Sequence, residues 1–150
     1  MIVRLSMFER IVAYGVGMER QNGARSRPDA NGFKGNGAAI HMIGAAGELA
    51  AAKALGVPWV PTCNAGKAAD IAPDWQVRTR WNGNYELYVR PNDGQYDRFI
   101  LVLAHDYPIM NVMGWCYGHE AQHPEWWHEH GGRPGAWFIP NNELRRINDV

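Results

Sequence analysis

Phe99 to Ala104 reads Phe-Ile-Leu-Val-Leu-Ala, a continuous apolar run of strand length closed by His105-Asp106-Tyr107-Pro108. A strand that is apolar at successive positions, not only at alternate ones, is covered on both faces. It should be the most buried strand of a sheet, with the rest of the chain packed around it. Ile109 to Tyr117, ending at Gly118, reads as the next strand, and Tyr85 to Arg90 alternates as an earlier one before the turn Pro91-Asn92-Asp93-Gly94.

Upstream the period changes to helical. Ser6-Met7-Phe8-Glu9 fits a capping box and starts a helix that the stripe Met7, Ile11, Val12 and Val16 extends to about Arg20. The stretch Gln21 to Gly37 is polar and Gly-rich and predicts a solvated surface loop holding Arg20, Arg25, Arg27 and Lys34, with phosphate contact as the alternative. Ala38 to Leu55 is the clearest helix, with Gly56 as its stop. Its face through Ile43, Gly47, Ala50 and Ala54 is small enough to lie close against a sheet. Val57 to Val60 suggests a short strand, Ala136 to Ile139 an edge strand, and Pro140 to Leu144 the entrance to a short terminal helix. Helices followed by strands imply an α+β (or α/β) fold with a central mixed sheet flanked by helices.

The 150 residues suit one domain, 1–150, and a 46% hydrophobic share sets aside disordered and fibrous classes. With 15 basic and 15 acidic side chains the chain is not a uniformly phosphate-seeking domain, although a local basic groove remains compatible. Cys63 and Cys116 form no CxxC pair, and no apolar run reaches the roughly 18 residues of a membrane span. A cytoplasmic protein without a membrane partner is expected. No Ser-His-Asp order, Walker loop or dinucleotide fingerprint is present.

The chemistry concentrates in Asp70 to Arg80, where an acid and a Pro73-Asp74 turn precede a strand with Gln76, Arg78 and Arg80 on one face and Val77 and Thr79 on the other. Glu48 adds a carboxylate among small apolar neighbours, an expensive position unless the charge is paired or bound to a cation. Glu48, Asp70 and Gln76 supply the hard oxygen donors that Mg²⁺ or Mn²⁺ takes, and Arg78 a cation to hold a phosphate or stabilise transition-state charge. A structural alternative is a buried Glu48–Arg78 ion pair with no ligand.

A helical Glu48, then Asp70, then Gln76-Val77-Arg78 resembles the PD-(D/E)XK nuclease superfamily, whose site is a helical Glu, a strand Asp and an E-x-K strand. Gly44 to Ala50, Gln76 to Arg80, Val112 to Trp115 and Ala136 to Pro140 together resemble small uncharacterised phage-type proteins, over roughly residues 6 to 146. The resemblance implies a restriction-endonuclease-like core, and a metal-dependent nuclease using Glu48, Asp70, Gln76 and Arg78 on nucleic acid, DNA in preference to RNA, in a host cytoplasm. Two positions depart from the pattern. Gln76 stands where the superfamily has an acid, and Arg78 stands for Lys and cannot act as a base. The alternative is a catalytically inactive nuclease-fold protein that binds DNA or a host protein.

Lys67, Arg80 and Arg90 are the candidate nucleic-acid contacts. Arg78, Arg80, Arg90 and Arg98 with Trp81 and Tyr88 would make a basic and aromatic strip, unless Glu86, Asp93 and Asp97 neutralise it. Cys116, His119 and His123 have a spacing that only permits zinc, and the segment 119–132 is better explained as a loop with aromatic anchors.

Overall fold

The computed structural model describes residues 1–24, 37–63 and 68–150, so Arg25, Arg27, Lys34 and Lys67 fall outside the described residues. The fold is α+β, built from two helices, a mixed four-stranded sheet and an antiparallel three-stranded sheet.

The capping box forms as the sequence predicts. Ser6 N–H donates to Glu9 Oε2 at 2.7 Å and Glu9 N–H to Ser6 Oγ at 3.2 Å, opening α1 (Met7–Ala24), which runs a turn beyond Arg20. Helix α2 (Gly37–Leu55) ends at Gly56, whose φ of +68° suits a residue without Cβ. Val57 N–H reaches back to Ala52 O and Gly56 N–H to Lys53 O, so the last carbonyls are satisfied as in a Schellman motif.

Strands β1 (Ile2–Arg4), β2 (Trp75–Arg80), β4 (Arg98–Asp106) and β5 (Ile109–Tyr117) make the larger sheet in the order β1-β5-β4-β2; β3 (Leu87–Val89), β6 (Trp127–His128) and β7 (Ala136–Ile139) make the smaller, ordered β3-β7-β6. β4 contains the apolar run and is the most enclosed strand, with Phe99 to Ala104 all buried. Its alternate residues enter two cores. Ile100, Val102 and Ala104 pack with Ala45, Ala46, Ala50 and Ala51 of α2, while Phe99, Leu101 and Leu103 pack with Leu87, Val89 and Ile139 of the smaller sheet. The molecule is therefore layered as helices, four-stranded sheet, three-stranded sheet.

Several elements differ from the sequence expectation. Residues 57–60 form no strand, because Pro58 removes a donor and Val60 is exposed. β7 lies at the centre of its sheet, not at an edge, and the C-terminal segment makes only short 3-10 turns at Asn141–Glu143 and Ile147–Asp149. β1, three residues long with only Val3 buried, is recruited by pairing antiparallel to β5.

Candidate active site

β2 is an edge strand, parallel to β4 on one side only. Its open edge is occupied by the chain just before it. Ile71 and Trp75 exchange backbone hydrogen bonds of 3.2 and 3.0 Å across the Pro73-Asp74 turn, and this folds Asp70 back beside the strand. Asp70 Oδ2 then accepts the Val77 N–H at 2.7 Å. A side chain thus satisfies an edge amide that no neighbouring strand takes.

Glu48 reaches the same edge from α2. Gly47 allows the approach, since a Cβ there would lie 1.8 Å from Thr79 Oγ1 of β2. Glu48 is 5% exposed, and its carboxylate is met by Arg20 of α1, with Nη1 2.5 Å from Oε1 and Nη2 2.9 Å from Oε2. Trp59 Nε1–H donates to Oε2 at 3.3 Å, and Arg20 Nε–H donates to Thr62 O at 2.9 Å. This bidentate pairing holds the Arg20 proton more tightly than usual, against the opposing effect of burial. The buried charge at Glu48 is thus paired, but by Arg20 and not by Arg78.

Burial pushes the Asp70 carboxyl up to about 6, and the neighbouring charge of Glu48 adds to that rise. The Val77 N–H, Arg78 and Arg20 pull in the opposite direction without cancelling it. Two carboxylates and two guanidinium groups therefore act on one another at a single sheet edge. Such a strongly perturbed acid is a mark of functional sites.

Gln76 and Arg78 come to this edge from the far side. In-register neighbours on parallel strands share a face, so Gln76 lies beside Phe99, Arg78 beside Leu101 and Arg80 beside Leu103, all towards the three-stranded sheet. Gln76 Nε2–H donates to Asp97 Oδ2 at 3.4 Å, and Arg78 Nη2–H to Asp93 Oδ2 at 2.9 Å. The Arg78 guanidinium also lies 5.2 Å from the Tyr88 ring centroid and 5.1 Å from that of Phe99.

This geometry tests the ligand set expected from sequence. Glu48 is close enough to Asp70 to raise its pKa, and both are hard oxygen donors suited to Mg²⁺ or Mn²⁺. Gln76 faces away from the Glu48 helix and does not join them. Arg20 already neutralises Glu48, so a cation would have to displace it. The fit is to a two-carboxylate site, and among the described residues no group of three or more His, Cys, Asp or Glu side chains is gathered to hold a metal.

Of the residues expected from sequence to contact nucleic acid, Arg80 donates to Glu86 O at 3.2 Å and lies 4.3 Å from the Tyr85 ring centroid, while Arg90 lies 5.2 Å from that of Tyr88. Arg98 leaves the expected strip, for it pairs with Asp74 and stacks on Trp75 at 4.3 Å. In the Cys/His segment Cys116 is buried, which pushes its thiol up to about 12. His119 stacks on Tyr117 at 5.5 Å and His123 lies tilted against Trp126 at 4.3 Å, so these rings serve as aromatic anchors. A cleft of about 400 Å³ between Cys116, Glu120, Trp126 and Arg145 contains none of the proposed site residues.

Arg20, read from the sequence only as a basic residue of the loop, and Trp59 are the partners of Glu48 that sequence reasoning missed. A signal existed for the first: Ala13, Val16 and Gly17 precede Arg20 at helical spacing, and Ala13 and Gly17 are buried against α2. Arg20 therefore continues the stripe that faces Glu48. Comparison with models of protein families, with curated proteins and with solved structures gives no match.

Proposed function

We propose that the outer edge of β2, where Asp70 folds back beside Glu48, is the site of a metal-dependent nuclease acting on nucleic-acid phosphodiesters, DNA in preference to RNA. The observation that carries this reading is Asp70, a half-buried acid raised to about 6 beside the carboxylate of Glu48 and flanked by Arg20 and Arg78. Glu48 and Asp70 would hold Mg²⁺ or Mn²⁺, which supplies polarisation of the phosphate and a lowered pKa for water. Arg78 is held by Asp93 on the opposite face of β2 but is near enough to act on Asp70, and from there it would offset charge building on the phosphate. Gln76 supports the edge through Asp97. Arg20 pairs with Glu48 in this structure and would have to release it for the carboxylate to hold a cation. The expected outcome is cleavage of plasmid or single-stranded DNA with Mg²⁺ or Mn²⁺, lost in Asp70→Ala.

The bidentate grip of Arg20 on Glu48 favours a second reading. A carboxylate already neutralised by a guanidinium has less need of a cation, which is the state expected of a nuclease fold retained for binding alone. That reading predicts salt-sensitive DNA binding, unaffected by chelators, and no cleavage by the wild-type chain.

A further inference from the structure

The three-stranded sheet covers β4 with one face and turns the other outward. Strand alternation sorts its side chains: Leu87, Val89 and Ile139 are buried beneath, while Tyr88 and Phe138, directly paired across β3 and β7, are only partly buried and stand on the outer face. Their ring centroids are 6.3 Å apart. Phe138 is met by His130 at 5.0 Å and by His128 of β6 at 6.2 Å. The solvent face of an antiparallel sheet usually carries polar side chains. Here a continuous row of rings crosses it.

The Tyr88 end of the row is basic. Arg80 and Arg90 place their guanidinium groups 5.1 and 5.2 Å from the Tyr88 centroid. Neither forms an ion pair with a carboxylate among the described residues. Arg78, which also touches Tyr88, is held by Asp93. The unneutralised cations therefore sit beside the aromatic row, a charge arrangement that complements a phosphodiester chain.

We infer that the outer face of β3–β7–β6 is a stacking platform for single-stranded nucleic acid, Tyr88 and Phe138 receiving bases while Arg80 and Arg90 hold phosphates. Rings lying on a sheet can stack only on bases that are not already stacked in a duplex, which selects the single strand. The inference rests on the nucleic-acid reading given above and adds a separate surface, strandedness and the residues that carry both.

The test measures fluorescence anisotropy of a labelled oligothymidylate of about 16 nucleotides in EDTA, with a duplex of the same length alongside. Wild type should bind the single strand more tightly than the duplex. Phe138→Leu, which keeps an apolar side chain but loses the π face, should weaken single-strand binding about tenfold. Arg90→Gln, at an exposed position that leaves the cores untouched, should weaken it severalfold and reduce the salt slope by about one. Glu120→Gln, outside the proposed site and the platform, should bind as wild type does. Wild-type affinity in both Phe138→Leu and Arg90→Gln, or preference for the duplex, would overturn the platform. If those variants bind normally while Asp70→Ala alone abolishes cleavage, the nuclease reading survives without the platform; platform-dependent binding without cleavage has the opposite meaning.

Discussion

The two faces of β2 handle charge in opposite ways. On the helical face Glu48 is enclosed by Gly47, alanines, Trp59 and the fork of Arg20, so its charge is paired and nearly removed from water. Towards the three-stranded sheet, Arg80 lies on tyrosine rings and bonds a backbone carbonyl, and among the described residues it forms no direct ion pair, Glu86 acting on it only from a distance. Burial lowers the Arg80 pKa first, with Arg133 contributing in the same direction. Asp70 lies at the edge between the two faces and responds to charges from both. A closed ion pair is a stability device that binding must open, whereas an arginine supported by aromatic rings is ready for an anion from outside.

Breaking the closed side should have the largest effect. Arg20→Met leaves Glu48 buried without its partner and should cost about 3–5 kcal/mol in urea unfolding, most of which Arg20→Met with Glu48→Leu should recover. Recovery is the informative result, because it separates the cost of an orphaned charge from the worth of the pair. Gly47→Ala comes next, driving a methyl group into Thr79 and costing about 1–3 kcal/mol, with partial relief from Thr79→Ala.

Asp70 should give a pH-dependent effect of similar or smaller size. Its folded pKa of about 6 exceeds its ordinary 3.8, so the folded chain holds a proton that the unfolded chain has lost. Stability from this group should therefore fall as pH rises from about 4 to about 6 and stay level above. Asp70→Asn keeps an acceptor for the Val77 N–H and should be more stable than wild type by about 1–3 kcal/mol at pH 8, the difference closing by pH 4 in thermal melts. On the open side, Arg80→Gln should change stability by less than about 1 kcal/mol while weakening nucleic-acid binding, which sharpens the contrast between the faces.

The smallest effect belongs to a pair remote from both faces. Arg145 holds Glu120 at about 2, below its ordinary 4.5. Its contribution is complete above 4.5 and lost as pH falls through about 2, and solvent screening keeps it below about 1 kcal/mol. Glu120→Gln should leave melting at pH 7 almost unchanged.

Local chemistry made much of the fold legible. The capping box at Ser6 and Glu9, the Gly56 stop, the buried run in β4 and the whole of β5 and β7 follow from side-chain period and turn residues that act within a few positions. What was not legible depends on distant partners. β1 is a strand only because β5 offers it an edge, and β7 is central only because β6, two residues long, pairs with its outer side. The same holds at the site. Alternation correctly separated Gln76, Arg78 and Arg80 from Val77 and Thr79, but could not say which face met α2, and so grouped Gln76 with Glu48. The Glu48 charge was legible as needing a partner; that the partner was Arg20 depended on how α1 crosses α2.

The central claim is tested most directly by incubating plasmid and single-stranded DNA with wild type and Asp70→Ala, each with Mg²⁺, with Mn²⁺ and with EDTA. Metal-dependent cleavage by wild type, absent in Asp70→Ala and in EDTA, is the predicted result. Wild-type protein that leaves both substrates intact under every condition, or cleavage that persists in Asp70→Ala, would contradict it.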